Sequence, residues 1–331
     1  MKKIITLLKK TGIALLILTG VLLISGFIFE KISRANAEKI VPDGNFAQVG
    51  NQKLHYLQKG TGGPTVIFET AFDPAGHLQW LNIQKDLPKT FTTISYDRAG
   101  ILWSERGTDP KFGEKIADEL FGLLEKIKAP KPYILVGHSF GGTLTRFFVN
   151  KYPKDVGGVI LVDSQFPNDE KYLSPELYAM ANQGLPSGFL RFANTLGLAR
   201  ILFKNMFPGT EKYKYQNSIM PSLLYKSADA VLEEQDQMKS IKKEAGKINS
   251  FGSIPLFVIT AADNNRFDSF IKDEKLKIEM INAWNTMQKD LLKLSKNSKQ
   301  ILAPKSGHYI NQDQPEIIEN AITEMVNKVK K

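Results

Sequence analysis

The run Gly137-His138-Ser139-Phe140-Gly141-Gly142 carries the most specific chemical signal in the chain. It follows the apolar run Tyr133 to Val136 (YILV) and precedes the helical stretch Thr143 to Tyr152. That strand-turn-helix setting gives a Gly-x-Ser-x-Gly pattern its meaning. Side chains two residues either side of the serine would collide on so strained a turn. Gly137 and Gly141 therefore leave room, and Ser139 projects its hydroxyl at the carboxyl edge of a sheet. The helix start behind it favours developing negative charge. A serine hydroxyl is a poor nucleophile until a base takes its proton, and in this arrangement the base follows the serine in the chain. Of His55, His77, His138 and His308, only His308 does, in Ser306-Gly307-His308-Tyr309 between the last strand run and the last helix. His138 reads as a packing residue beside the nucleophile, and His55 as a structural residue of an early edge strand.

Such a base needs a carboxylate to fix its tautomer, and two positions offer one. Asp163 ends the run VILV, and Asp263 follows the run PLFVIT; both fall at the carboxyl edge, so spacing alone does not choose. A tetrahedral oxyanion also needs two backbone N–H donors, one from the residue after the nucleophile and one from the loop after the third strand. Those residues are Phe140 and Phe72, the latter closing Phe68-Glu69-Thr70-Ala71-Phe72. Glu233-Glu234 is a candidate carboxylate pair for a substrate amine, against the plainer reading of a solvated helix face.

Elements able to position these groups are visible as short β-branched runs alternating with amphipathic stretches. The runs are Thr65 to Phe68, Thr92 to Tyr96, Tyr133 to Val136, Val159 to Val162, Pro255 to Thr260 and Gln300 to Ala303. Continuous apolar runs suit strands buried on both faces of a parallel sheet. Ile116, Leu120, Leu123, Leu124 and Ile127 repeat at helical spacing, as do Ile318, Ala321, Ile322, Met325 and Val329. The expected fold is therefore a doubly wound, mostly parallel α/β sheet. Its rhythm breaks once, at about residues 164–252, read as a helical cap insertion. The stretch Gly188 to Phe203 there is too apolar for a fully solvated helix, so it packs the cap, lines an acyl pocket or touches lipid.

The chain has no cysteine, which excludes a thiol nucleophile, disulfides and Cys-ligated metal. The net charge of +10 is concentrated: residues 1–39 hold seven basic residues against Glu30 and Glu38, half of the excess. The rest is spread in mixed-sign stretches, which argues against a nucleic-acid partner. Residues 1–10 form a basic flank, and Thr11 to Phe29 is 19 residues without a charge, long enough to cross a hydrocarbon core. The lysines before it favour an amino terminus inside and the remainder outside. The alternative is a signal peptide cleaved at Ala35-Asn36-Ala37, which would leave a secreted enzyme. Residues 30–43 read as a linker to a domain covering residues 44–331.

With these elements in hand, the chain resembles the α/β-hydrolase superfamily. More narrowly it resembles a bacterial membrane-tethered group whose pattern includes Pro64 to Glu69, Tyr96-Asp97-Arg98-Ala99-Gly100, Gly137 to Gly142, Leu161-Val162-Asp163-Ser164 and Ser306 to Ile310. Ala71 stands where that group usually has glycine, and Leu102-Trp103-Ser104 where it usually has Gly-x-Ser; the second departure is expected to change only packing. The narrower group's Leu-Val-Asp-Ser run leans the acid toward Asp163, while the commoner superfamily habit of an acid after the seventh strand points to Asp263. The resemblance also gives Asp97 and Arg98 a structural role, and implies hydrolysis of a small-molecule ester or other acyl substrate without metal or organic cofactor. The expected protein is thus a membrane-anchored serine hydrolase of carboxylic esters. An amide hydrolase and a non-catalytic binding protein on the same fold are the alternatives.

Overall fold

The computed structural model describes residues 2–107, 112–184 and 186–330. Met1 and Lys331, at the ends of the expected flank and domain, lie outside the described residues. Two compact units arise: residues 1–41 with 185–229, and residues 42–184 with 230–331.

The larger unit holds one eight-stranded sheet in the order β1-β2-β4-β3-β5-β6-β7-β8. Its strands are β1 (Asn45–Val49), β2 (Gln52–Lys59), β3 (Thr65–Glu69), β4 (Thr92–Tyr96), β5 (Tyr133–His138), β6 (Val156–Val162), β7 (Leu256–Ala261) and β8 (Ser298–Ala303). The pairings of β1 with β2 and of β2 with β4 are antiparallel, and the others are parallel. All six expected runs are strands. Those in β3, β4, β5 and β7 are buried throughout, which is why they read as continuous rather than alternating.

Helices cover both faces. The α3 (Gly113–Lys126) and α4 (Phe140–Lys151) helices pack Ile116, Leu120, Leu123, Leu124, Leu144 and Phe147 into one core layer. On the other layer, α2 (Leu81–Asp86) contributes Ile83, and α11 (Pro315–Val329) contributes Ile318, Ala321, Ile322 and Met325. Those of α3 and α11 are residues whose helical spacing is legible in the sequence. This unit also holds α5 (Pro175–Ala181), α9 (Glu274–Leu291), α10 (Ile310–Asp313) and residues 230–245 of α8 (Lys214–Ala245). Between β6 and β7 the described residues form helices and connecting turns and no strand, as expected for a helical insertion.

The smaller unit contains α1 (Lys2–Ala37), α6 (Ser187–Thr195) and α7 (Leu198–Leu202), with the start of α8 (Lys214–Ala245). Among the described helices, α1 is long and apolar enough to cross a membrane. It continues through Ala37, so residues 30–37 of the expected linker are helical. The reason is local: nothing there breaks a helix, and Arg34 Nε donates to Glu30 Oε1 four residues back at 2.7 Å.

Candidate active site

Ser139 sits between β5 and α4 with φ 51° and ψ −119°, a conformation few non-glycine residues adopt. The glycines around it have measurable reasons. A Cβ on Gly137 would lie 2.6 Å from Thr145 Oγ1 and 2.7 Å from the Gly141 carbonyl oxygen. One on Gly141 would lie 2.5 Å from the Glu69 carbonyl oxygen and 2.6 Å from that of Thr70. The turn is tied to the next strand by Ser139 N donating to the Val162 carbonyl at 3.1 Å.

Asp163 follows β6 directly, also with a left-handed backbone at φ 38°. Its Oδ2 is 2.7 Å from His308 Nδ1, and its Oδ1 accepts from the Ala261 amide at 3.1 Å and from Trp284 Nε1 at 2.9 Å. A carboxylate gripped on one oxygen and offered to an imidazole on the other can fix that ring's tautomer. Asp263 does something else: its Oδ1 accepts from the Asn265 amide at 2.9 Å, the turn-capping role of an aspartate. Trp284, on α9, had no signal in the sequence linking it to the acid.

The loop after β3 is held by two polar clusters. Arg98 donates from Nη1 to the Thr70 carbonyl (2.9 Å), Thr70 Oγ1 (2.6 Å) and Glu69 Oε1 (2.8 Å), and from Nη2 to the Ala71 carbonyl (2.9 Å). Its remaining edge meets Glu234 through two bonds of 2.7 and 2.9 Å. Farther along, Gln79 Oε1 accepts from the Ala71 amide at 3.1 Å, while its Nε2 donates to Asp73 Oδ2 and to His138 Nδ1, each at 3.0 Å. His138 Nε2 then donates to the His308 carbonyl at 2.8 Å. Burial, and after it the neighbouring His308, pushes His138 down to about 3, so the ring is neutral and this tautomer is the one that satisfies both contacts. His138 is thus more than packing: with Gln79 it links the loop after β3 to the loop that carries His308. The Phe72 and Phe140 rings meet edge to face at 6.1 Å, and neither backbone amide donates to a protein acceptor among the described residues. Burial raises the Asp73 carboxyl to about 6, against the opposing pull of the Ala75 amide and Arg98.

His55, His77 and Asp97 bring their ligand atoms within 4.8 Å of one another, a spacing a metal ion could use. Hydrogen bonds engage both nitrogens of His55 and tie His77 Nδ1 to Asp97 Oδ1 at 2.8 Å. His55 Nδ1 faces Asp97 Oδ2 at 2.8 Å and its Nε2 faces the Asp43 carbonyl at 2.6 Å, so both nitrogens point at acceptors and the ring is an imidazolium. Its pKa is correspondingly raised: burial, the largest single influence, opposes this, but Asp97 and Asp43 together outweigh it. The structural role expected for His55 fits this geometry, but its strand does not: β2 is flanked by β1 and β4, and the edge is β1.

The alpha/beta hydrolase fold family matches residues 64–315. The chain belongs to this family. Its membership agrees with the sheet order and with the elbow between β5 and α4. An uncharacterized protein of Bacillus subtilis (strain 168), YqjL, is 24% identical over 265 residues, spanning 80% of this chain and 84% of its own. A thermophilic esterase from Thermogutta terrifontis shares the fold at TM-score 0.62 and 20% identity, over 87% of this chain and 99% of its own. A membrane phospholipase A shares it at TM-score 0.58 and 16% identity, over 100% of this chain and 99% of its own.

Two sequence expectations about this hydrolase need correction. Glu233 and Glu234 are not a free pair for a substrate amine: Glu234 is fully buried on Arg98, and Glu233 is ion-paired with Arg106. Leu102 changes more than packing, because it takes φ 44° where the related group usually has glycine. Ala71 carries no such strain and is not among the residues with positive φ.

Proposed function

We propose that this hydrolase is a membrane-anchored serine enzyme cleaving carboxylic esters of small-molecule substrates. Ser139 Oγ attacks the acyl carbon as His308 Nε2 takes its proton. Asp163 holds the Nδ1–H and stabilises the imidazolium that forms. The N–H groups of Phe140 and Phe72 receive the oxyanion, and His308 returns the proton to the leaving alkoxide. A water, activated by the same ring, then releases the acid. The observation that carries this reading is the 2.7 Å contact between His308 Nδ1 and Asp163 Oδ2, on the strand edge that also bears Ser139. The esterase and phospholipase names of the structural relatives support an ester reading, and the engagement of Glu233 and Glu234 takes away the candidate amine site read from the sequence.

The anchor is α1, with the amino terminus inside the cell and the catalytic unit outside. Fluorophosphonate labelling, competed by p-nitrophenyl esters of increasing chain length and by matched anilides, tests the enzyme reading. Ser139→Ala abolishes labelling, and Ser139→Ala and His308→Ala each lower ester turnover by about a million-fold. Near wild-type turnover in His308→Ala would place the base elsewhere.

A further inference from the structure

We propose that the α6–α7 segment lies in the surface of the bilayer that α1 crosses, with Phe189, Phe192, Leu198 and Ile201 submerged among the lipid acyl chains. The proposal rests on the reading of α1 as a retained anchor. Its starting observation is a patch that water should not tolerate. These four side chains are 57%, 52%, 42% and 69% exposed, within two short consecutive helices. Isolated exposed apolar residues are ordinary, but a contiguous set on one segment marks a surface that meets something apolar.

What it meets follows from where α1 holds the segment. A Cβ on Gly26 would lie 3.0 Å from the Leu196 carbonyl oxygen and 3.5 Å from Leu196 Cβ, so the turn between α6 and α7 rests directly on α1 at that level. Gly26 lies three residues before Phe29, the end of the uncharged run. At ~1.5 Å per residue that is about 4.5 Å inside the apolar boundary. Gly197, with φ 75°, makes the turn, and a Cβ there would meet Glu30 Oε2 and Phe29 Cδ1 at 3.1 Å. Helices lying in a membrane surface sink their apolar face by roughly 5–10 Å, which matches this level.

The joint is stiff. Glu30, almost fully buried, accepts from Arg34 Nε at 2.7 Å and from Arg200 Nε at 2.6 Å and Nη2 at 3.1 Å. Arg34 Nη2 also donates to the Asn194 carbonyl at 3.1 Å, and Arg200 Nη1 to the carbonyls of Pro221 and Ser222 at 2.6 and 2.7 Å. Each guanidinium is spent on several acceptors, so the segment cannot swing into water without stripping buried charges of their partners. A helix that spans the membrane therefore carries the two short helices down to its own exit level.

The absence of cysteine makes the test direct, since a single introduced cysteine takes a nitroxide at one place. Full-length Phe192→Cys, Ile201→Cys, Leu18→Cys and Lys275→Cys proteins, checked for ester turnover, are labelled in phosphatidylethanolamine–phosphatidylglycerol vesicles. Collision with oxygen is compared with collision with a water-soluble nickel chelate. At 192 and 201 oxygen exceeds the chelate several-fold, as at position 18 within α1, whereas the exposed position 275 shows the reverse order. Aqueous behaviour at 192 and 201 with lipid behaviour at 18 overturns the proposal and leaves the anchor standing. Low access to both reagents at 192 and 201 also overturns it, because the patch then seats against protein, such as a second copy. Removal of the segment bearing position 18 overturns the anchor and the proposal together.

Discussion

At the scale of single residues, the assignment of the acid is the sharpest claim. Asp163 Oδ2 meets His308 Nδ1 while Asp263 caps a turn, so the two asparagine substitutions separate cleanly. Asp163→Asn lowers turnover by about ten-thousand-fold with KM little changed, because the ring loses its correct tautomer. Asp263→Asn stays within a few-fold of wild type. Steady-state kinetics on a soluble ester, with folding followed by circular dichroism, checks both; collapse of the second alone reverses the assignment. Asp73 offers a pH test. Its carboxyl is raised from 3.8 to about 6 by burial, so the folded chain keeps a proton there that the unfolded chain has already lost. Stability from this group is complete below pH 3.8 and is lost as pH rises through 6, worth on the order of 3 kcal/mol for a shift of about two units. Asp73→Asn therefore flattens the fall in stability between about pH 4 and 6.5. The slope is the readout, since asparagine cannot accept at both positions. Parallel urea-unfolding midpoints for the two proteins across that window would sink the claim.

Elements matter here through the places where they touch. The amino end of α4 and the carboxyl end of β3 approach so closely that Gly141 has no room for a methyl group, and the obstruction is backbone, which cannot rotate aside. Gly141→Ala pushes on the Glu69 and Thr70 carbonyls where the loop bearing Phe72 begins and where Arg98 grips it. The expected result is a kcat loss of roughly 10²–10³, like that of one missing oxyanion donor, with a smaller effect on KM. Gly209→Ala, at a position with nothing within 4 Å, is the neutral comparison. Wild-type kcat in Gly141→Ala would show that the close approach does not position the loop.

For the whole molecule, the division into two units has a consequence for truncation. Beginning the chain at Glu30 removes the uncharged run of α1 but keeps the Glu30–Arg200 fork, whereas beginning it at Ile40 leaves Arg200 with the Pro221 and Ser222 carbonyls and the Tyr225 ring. Both chains should leave the membrane fraction. The Ile40 chain should be less stable in the unit containing residues 185–229, by on the order of 3 kcal/mol for a buried charge stripped of its partner. Urea unfolding followed by far-ultraviolet circular dichroism compares them, and coincident transitions would mean that the fork contributes nothing to that unit.

Much of this was legible in the chain because it is local. A buried strand needs a short continuous apolar run, a helix repeats its apolar face every three to four residues, and a strained serine turn needs small neighbours on both sides. Six strand runs, the layers packed by α3 and α11, the elbow at Ser139 and the apolar span of α1 follow from such patterns. His308 was reached by its place in the chain order. The helical form of residues 30–37 is not legible in the chain, because a charged helical turn looks like any polar stretch until Arg34 is seen reaching Glu30. The tertiary structure decided what depends on segments meeting. Which of Asp163 and Asp263 faces the His308 ring, the pairing of Arg98 with Glu234 across 136 positions and that of Glu30 with Arg200 across 170 are such cases. A hydrogen bond exists only within about 3 Å, and no periodicity in the sequence records which distant residues the folded backbone will bring that close.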